Sequence, residues 1–176
     1  MLKTFKKYKA AVFFVLRFFV AYTVLTLLYN AFLNTFNEAP DSVTRLVAEQ
    51  SRVFVDWFDY KVNTEIVEKE PFVRFFINDH YVARIVEGCN AISVFILFTA
   101  FIIAYRGSIK KTLTFILLGG ILIYFVNIFR VGVLTIGLYR FPEYKDFMHQ
   151  ILFPVAIYGM VFLLWVLWVN KYAKKE

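Results

Sequence analysis

The chain has 176 residues, of which 60% are hydrophobic and 20% aromatic, whereas only 19% are charged. Soluble domains are about 45–50% apolar and about 25% charged, so this composition excludes an ordinary cytosolic domain and a disordered chain. The single cysteine excludes a disulfide-stapled secreted module. The net charge of +7 comes largely from lysines near the two termini, which indicates a protein that contacts the lipid bilayer and not nucleic acid.

Four apolar segments predict transmembrane helices, which need about 20 mostly apolar residues. They are Ala10–Leu33, Asn90–Tyr105, Thr112–Leu138 and Phe147–Val169. No small-residue cleavage site follows the first segment, so we expect a retained span and not a signal peptide. The sequence therefore predicts an all-α membrane protein with about four transmembrane helices, folded as a single domain over residues 1–176.

The positions of Lys and Arg predict the orientation in the membrane. The two tails and the connection after the second span hold ten basic residues and one acidic residue, whereas residues 34–88 and 139–148 hold eight basic and twelve acidic residues. Basic connections stay in the cytoplasm. We therefore expect an inner (cytoplasmic) membrane protein with both termini inside, and residues 34–88 as an extracytoplasmic cap between the first two spans.

Two local patterns predict structure within this cap. Apolar residues recur at helical spacing between Val43 and Phe58, which predicts an amphipathic helix that lies on the outer leaflet or covers the bundle. Two β-rich runs, Phe72–Ile77 and His80–Val86, are separated only by Asn78-Asp79, which predicts a β-hairpin. The hairpin would deliver the chain to Glu87-Gly88-Cys89, at the start of the second span.

Two residues of the spans are candidates for chemistry. Cys89 lies at the predicted outer mouth of the second span, where it is either a buried small hydrophobic residue or a reactive thiol. Arg130 is expected about 12–14 Å inside the apolar layer, counted from the outer end of the third span. An arginine near the bilayer centre costs about 2.5–3.5 kcal/mol, so it normally faces the bundle interior. Asn127 lies on the same helix face as Arg130 and can share a polar pocket with it. Instead of a functional role, Arg130 could act as a polar clamp between helices, or its side chain could snorkel outward.

The third candidate is His149, at the predicted outer start of the fourth span, where it is either catalytic or simply interfacial. A cysteine nucleophile needs a cationic neighbour to favour its thiolate, and the oxyanion of acyl transfer needs a fixed hydrogen-bond donor. A histidine can protonate the leaving amine and later activate the acceptor. The chain therefore offers one residue for each role on one side of the membrane: a nucleophile in Cys89, a donor to the oxyanion in Arg130, and an acid/base in His149. The other histidine, His80, is expected to be solvated, and Arg17 to snorkel to the cytoplasmic surface.

The order of these motifs resembles the exosortase/archaeosortase family. The matching residues are Glu87-Gly88-Cys89, then Asn127-Ile128-Phe129-Arg130, and then His149. The resemblance covers mainly residues 80–170, and the size is most similar to the short exosortase F type. It implies a membrane cysteine protease or transpeptidase that cleaves C-terminal sorting signals of exported proteins and transfers them to a surface acceptor.

The resemblance also implies a role for each matching residue. Cys89 is the nucleophile, Arg130 the electrostatic stabiliser and His149 the acid/base, with Asn127 and Glu87 in support. No metal or other cofactor is expected, and the protein substrates carry a C-terminal transmembrane sorting signal.

This chain departs from the family pattern after the cysteine, where members commonly have Ser-Gly and it has Asn90-Ala91. Many members also carry more spans.

A function from another class fits the same residues: a non-enzymatic assembly partner or substrate receptor of a secretion system. There, Arg130 and Asn127 would hold helices together and Cys89 would do no chemistry.

Overall fold

The structure, a computed structural model, describes residues 2–105 and 107–172; Arg106 and the last tail residues, used above for the orientation, lie outside this part. The chain is mostly helical, as predicted, and it carries one small antiparallel sheet with one strand more than the predicted hairpin. The helices are α1 (Leu2–Leu33), α2 (Ser42–Asp56), α3 (Ile92–Ala104), α4 (Ile109–Arg140), α5 (Lys145–Phe147) and α6 (Phe153–Lys171). The strands are β1 (Val62–Ile66), β2 (Phe72–Ile77) and β3 (His80–Val86).

Within the described residues, three helical segments are long and apolar enough to cross a membrane: Tyr8–Phe36, Ile109–Arg140 and Pro142–Lys171. The remaining predicted span is the shorter helix α3, whose 13 residues rise about 20 Å. α3 packs against α1 on one side and against α4 and α6 on the other. More than half of its side chains are buried, which makes this apolar helix the centre of the bundle.

Close contact between α3 and α4 depends on two glycines. A methyl group added at Gly119 would lie 2.4 Å from the ring of Phe98, and one added at Gly120 would lie 2.6 Å from the ring of Phe95. Small residues of this kind let membrane helices approach closely. The rings of α3 therefore pack directly onto the backbone of α4.

The predicted hairpin is confirmed with the expected strand bounds, β2 and β3. Its two turn residues, Asn78 and Asp79, both have positive φ (50° and 64°), as a type I′ hairpin turn requires. The sheet has a third strand, β1, which pairs antiparallel with β2 and was not predicted. β1 has one buried side chain, Val62, so its sequence lacks the apolar alternation that marks a half-buried strand.

The amphipathic helix predicted between Val43 and Phe58 is confirmed as α2. The Asp41 carboxylate accepts hydrogen bonds from the first backbone N–H groups of the helix and so begins it. The buried face consists mainly of small and short side chains: Thr44, Val47, Ala48, Ser51 and Val55. Larger apolar residues of α2 and of the turn after it are exposed: Leu46, Val53, Trp57 and Phe58. Small side chains occupy the inner face, and they let α2 approach the sheet closely.

The cap, residues 34–88, packs against the C-terminal half of α4. This helix has 32 residues and is about 48 Å long, well beyond the roughly 30 Å of a bilayer's hydrocarbon core. Val131 of α4 belongs to the same buried cluster as Phe75 of β2. Near the end of α4, the Tyr139 hydroxyl accepts a hydrogen bond from Asn78 at the hairpin turn. Strand β3 therefore runs along α4 and ends where the turn that carries Cys89 begins.

A glycine at the α2–α4 contact provides a test of this packing. A methyl group at Gly132 would lie 2.3 Å from the Phe54 ring, whereas one at Gly159 of α6 would meet nothing within 4 Å. We expect Gly132→Ala to lower the free energy of unfolding by about 1–3 kcal/mol through overpacking. Gly159→Ala should be neutral or stabilising, because alanine favours the helix. Thermal unfolding in detergent measures both, and equal midpoints for the two variants would contradict the described α2–α4 contact.

Candidate active site

Cys89 ends a single 3₁₀ turn, Glu87–Cys89, that links strand β3 to helix α3. Its side chain is a free thiol of intermediate exposure. Two residues later, Ala91 adopts a left-handed conformation (φ 62°, ψ 6°) directly before α3 begins. This conformation is unusual for a residue with a side chain. The surrounding contacts therefore have to hold the turn in place.

One set of such contacts centres on Asn90, whose exposed fraction is only 1%. Its side-chain N–H₂ donates to the Tyr29 hydroxyl of α1 at 2.8 Å and to the Thr44 hydroxyl of α2 at 3.1 Å. Its side-chain oxygen accepts from the backbone N–H of Ile92 at 2.9 Å. The Asp41 carboxylate lies at 3.5 Å and accepts a short hydrogen bond from Thr44. This network joins α1, α2 and the start of α3 immediately after the cysteine.

The other set of contacts comes from α4. Asn127 is completely buried, and its N–H₂ group donates to the backbone carbonyl of Cys89 at 2.7 Å. The guanidinium of Arg130 donates to the side-chain oxygen of Asn127 at 3.3 Å. Side chains on a helix lean toward its N-terminus, which explains how Arg130 reaches back by one turn to Asn127. The structure thus links the Cys89 backbone to the Arg130 guanidinium through the Asn127 side chain.

The Arg130 guanidinium retains an unused donor. Its Nε atom is buried and has no hydrogen-bond partner in the part of the chain that the structure describes. No described carboxylate forms an ion pair with this residue either. A buried donor without a partner costs about 1–3 kcal/mol. Arg130 is therefore able to donate a hydrogen bond to an anionic or carbonyl oxygen of a bound molecule.

His149 lies apart from this group. It is exposed, and among the described residues none is hydrogen-bonded to it. It belongs to a π-helical segment, Met148–Leu152, in which the N–H of Phe153 bonds to the carbonyl of Met148. Pro154 follows directly; it has no N–H and clashes with the carbonyl four residues earlier, which favours a local widening of the helix.

Met148, the residue before His149, shows which part of α4 lies beside His149. The Met148 sulfur would lie 2.7 Å from a methyl group at Gly137, so the two backbones are close there. Gly137 is seven residues beyond Arg130, a rise of about 10 Å. His149 thus lies on an exposed rim of the molecule, beyond the level of Arg130. Glu87, the other predicted supporting residue, is exposed as well.

Sequence reasoning did not identify Asn90, Tyr29, Asp41 and Thr44 as parts of the site. Asp41, followed three residues later by Thr44, is a pattern that indicates the start of a helix, here α2. It does not indicate a contact with Asn90. The contact of Thr44 with Asn90 joins residues 46 positions apart in the chain, so no local pattern reveals it.

A comparison with protein families finds a match to the family described as Transmembrane exosortase, over residues 8–170. The matched range is wider than the motifs alone suggested, since it includes α1 and the cap. No curated protein and no solved structure matches this chain. The apolar helices and the family match together show an integral membrane protein.

The Asn90 network provides a second test. We expect Asn90→Ala to lower the free energy of unfolding by about 2–3 kcal/mol, because it leaves the buried Asp41 and Thr44 groups with fewer partners. Tyr29→Phe should cost about 1 kcal/mol, since it removes a single hydrogen bond. The matched control is Asn63→Ala, at an exposed position of β1. Unfolding in detergent measures the three variants, and an Asn90→Ala variant as stable as the control would contradict the network.

Proposed function

Since this chain belongs to the transmembrane exosortase family, we propose that it is a membrane cysteine transpeptidase. Its substrates are exported proteins with a C-terminal sorting signal that consists of a short motif, an apolar helix and a basic tail. The observation that supports this most is the buried connection from the Cys89 carbonyl through Asn127 to the Arg130 guanidinium, whose Nε remains unpaired.

In the proposed first step, the Cys89 thiolate attacks a carbonyl carbon of the substrate and a C–S bond forms. The negative charge moves to the carbonyl oxygen, which Arg130 stabilises by donating a hydrogen bond. When the tetrahedral intermediate collapses, the C–N bond breaks and the leaving amine takes a proton from His149. The product is a thioester at Cys89 and a released C-terminal fragment.

In the second step, an amine or hydroxyl acceptor attacks the thioester while His149 removes its proton. The C–S bond breaks, the thiolate returns, and the substrate is joined to the acceptor. The exposed position of His149 suits this role, because both the leaving group and the acceptor have to reach solvent. A bound substrate would lie between His149 and the linked residues Cys89, Asn127 and Arg130.

The proposed orientation follows from the charges of the connections. Both termini lie in the cytoplasm, and the cap and the Cys89 turn face outward. In this orientation a substrate helix docks laterally, within the plane of the bilayer, and presents its motif to Cys89 at the outer boundary. The rival function, a non-catalytic receptor of a sorting system, would use the same surface without any need for the thiol.

The test of catalysis is processing of exported proteins in cells. We expect Cys89→Ala to insert and fold normally, while proteins with an apolar C-terminal helix and a basic tail accumulate at full length. Arg130→Lys should slow processing by at least about 100-fold, because lysine keeps the charge but loses the planar guanidinium. Quantitative mass spectrometry of C-terminal peptides measures both, with Arg84→Lys on the exposed face of β3 as the matched control.

Cys89→Ser separates the two functions. A receptor should tolerate this change, whereas a transpeptidase should lose nearly all processing, because serine is a far weaker nucleophile without a dedicated base. Normal processing in Cys89→Ser cells would contradict the proposed chemistry.

The reactivity of the thiol provides a further prediction that needs no substrate. A membrane-impermeant thiol reagent added to intact cells should label Cys89 rapidly at neutral pH, because in the proposed function the thiol is on the outer side and a nearby cation favours its thiolate. Labelling should be slower in Arg130→Ala and in His149→Ala. Equal rates in all three proteins would favour the receptor, and labelling only after detergent is added would contradict the proposed orientation.

A further inference from the structure

A polar cleft opens beside the Cys89 turn, at the end of α1. Its volume is about 440 Å³, within the usual range of roughly 300–1,000 Å³ for ligand pockets. The cleft is lined by residues from the end of α1 and the connection that follows it, from the start of α2, and from the loops around the sheet: Asn30, Leu33, Asn34, Phe36, Asn37, Ala39, Asp41, Pro71 and Glu87. Polar groups dominate this lining in a chain that is 60% hydrophobic.

Three asparagines give the cleft its hydrogen-bonding capacity. Asn30 and Asn34 lie within the candidate membrane span Tyr8–Phe36, and Asn37 directly follows it. Within the described residues, none of the three side-chain amides has a hydrogen-bond partner. All three side chains are exposed at the end of α1, so their amides are open to a bound molecule. Each amide offers both donors and an acceptor, the combination that a peptide backbone requires.

The cleft shares a wall with the candidate active site. Glu87 lies two residues before Cys89, so their Cα atoms are at most about 7 Å apart. Asp41, another lining residue of the cleft, belongs to the network that holds Asn90. A chain that lies in the cleft along Glu87 would therefore pass within about two residues' length of the Cys89 backbone.

The charge of the cleft narrows the choice of ligand. The Glu87 carboxylate is exposed and has no described ion-pair or hydrogen-bond partner, whereas Asp41 is saturated by its contacts with α2. An unpaired carboxylate favours a donor, either a backbone N–H or a basic side chain, and repels an acidic one.

From these observations we infer that the cleft binds the extended polar segment of the substrate that immediately precedes its apolar helix. The asparagine amides pair with the peptide backbone of this segment, and Glu87 accepts a hydrogen bond from a donor on it. This inference rests on the proposed function and names the surface by which the substrate is recognised.

Photo-crosslinking tests the contact directly. The probe is an exported protein that accumulates at full length in Cys89→Ala cells, and the crosslinker p-benzoylphenylalanine replaces Asn34 in the Cys89→Ala protein. We expect an adduct that maps to the polar segment before the apolar helix of the probe. The matched control carries the crosslinker at Thr35, which is exposed and does not line the cleft. An adduct with lipid alone, equal adducts from both positions, or no adduct would overturn the inference.

Processing rates provide the second arm of the test. Asn34→Leu and Glu87→Gln, with Cys89 intact, should each slow processing of the same probe by about tenfold, the effect of about one lost hydrogen bond. Glu38→Gln and Asn63→Ala, at exposed positions outside the cleft, should process it normally. Labelling of Cys89 should remain fast in both cleft variants, which separates lost recognition from a damaged site. Normal processing in both cleft variants would overturn the inference about the cleft. If no exported protein accumulates in Cys89→Ala cells, the proposed function itself is wrong.

Discussion

The hydrogen bond from the Asn127 amide to the backbone carbonyl of Cys89 is the contact on which the rest of the site depends. The carbonyl belongs to a turn between a sheet and a buried helix, where an unpaired backbone oxygen would be costly. Asn127 satisfies it with its N–H₂ group and keeps its oxygen for Arg130. One buried amide therefore fixes the cysteine backbone and the guanidinium relative to each other. A hydrophobic residue at this position would leave both without that partner.

The same turn is held from the opposite side by Asn90, so the cysteine lies between two buried amides that come from different parts of the chain. Asn127 ties it to α4, and Asn90 ties it to α1 and α2. Because the Cys89 carbonyl and the Asn90 side chain are both held by buried contacts, the position of the Cys89 backbone depends on how α1, α2 and α4 pack around this turn. The length of α4 makes this possible, since one continuous helix extends from the bundle into the cap.

Local sequence patterns predicted the elements of this fold much better than their contacts. The hairpin has alternating apolar residues and turn residues that tolerate positive φ, so its bounds were correct. Strand β1 is too polar to show alternation, and α2 buries its small side chains instead of its large ones. The pairing of Arg130 with Asn127 follows from spacing on one helix, whereas the Asn90 network joins distant segments and is visible only in three dimensions. His149 lies in a π-helical segment, which periodicity does not predict.

The departure from Ser-Gly after the cysteine is understandable from this geometry. Ala91 has a left-handed backbone, and a glycine, which the related proteins commonly carry there, adopts that conformation without steric cost. An alanine in this conformation costs about 1–2 kcal/mol. Asn90 makes several buried hydrogen bonds, each with a net value of about 0.5–1.5 kcal/mol, which is enough to offset that strain. A serine is too short to reach Tyr29 and Thr44 together while also holding Ile92. We therefore regard Asn90-Ala91 as a coupled pair, in which the longer amide makes the strained alanine tolerable and keeps the Cys89 turn in place.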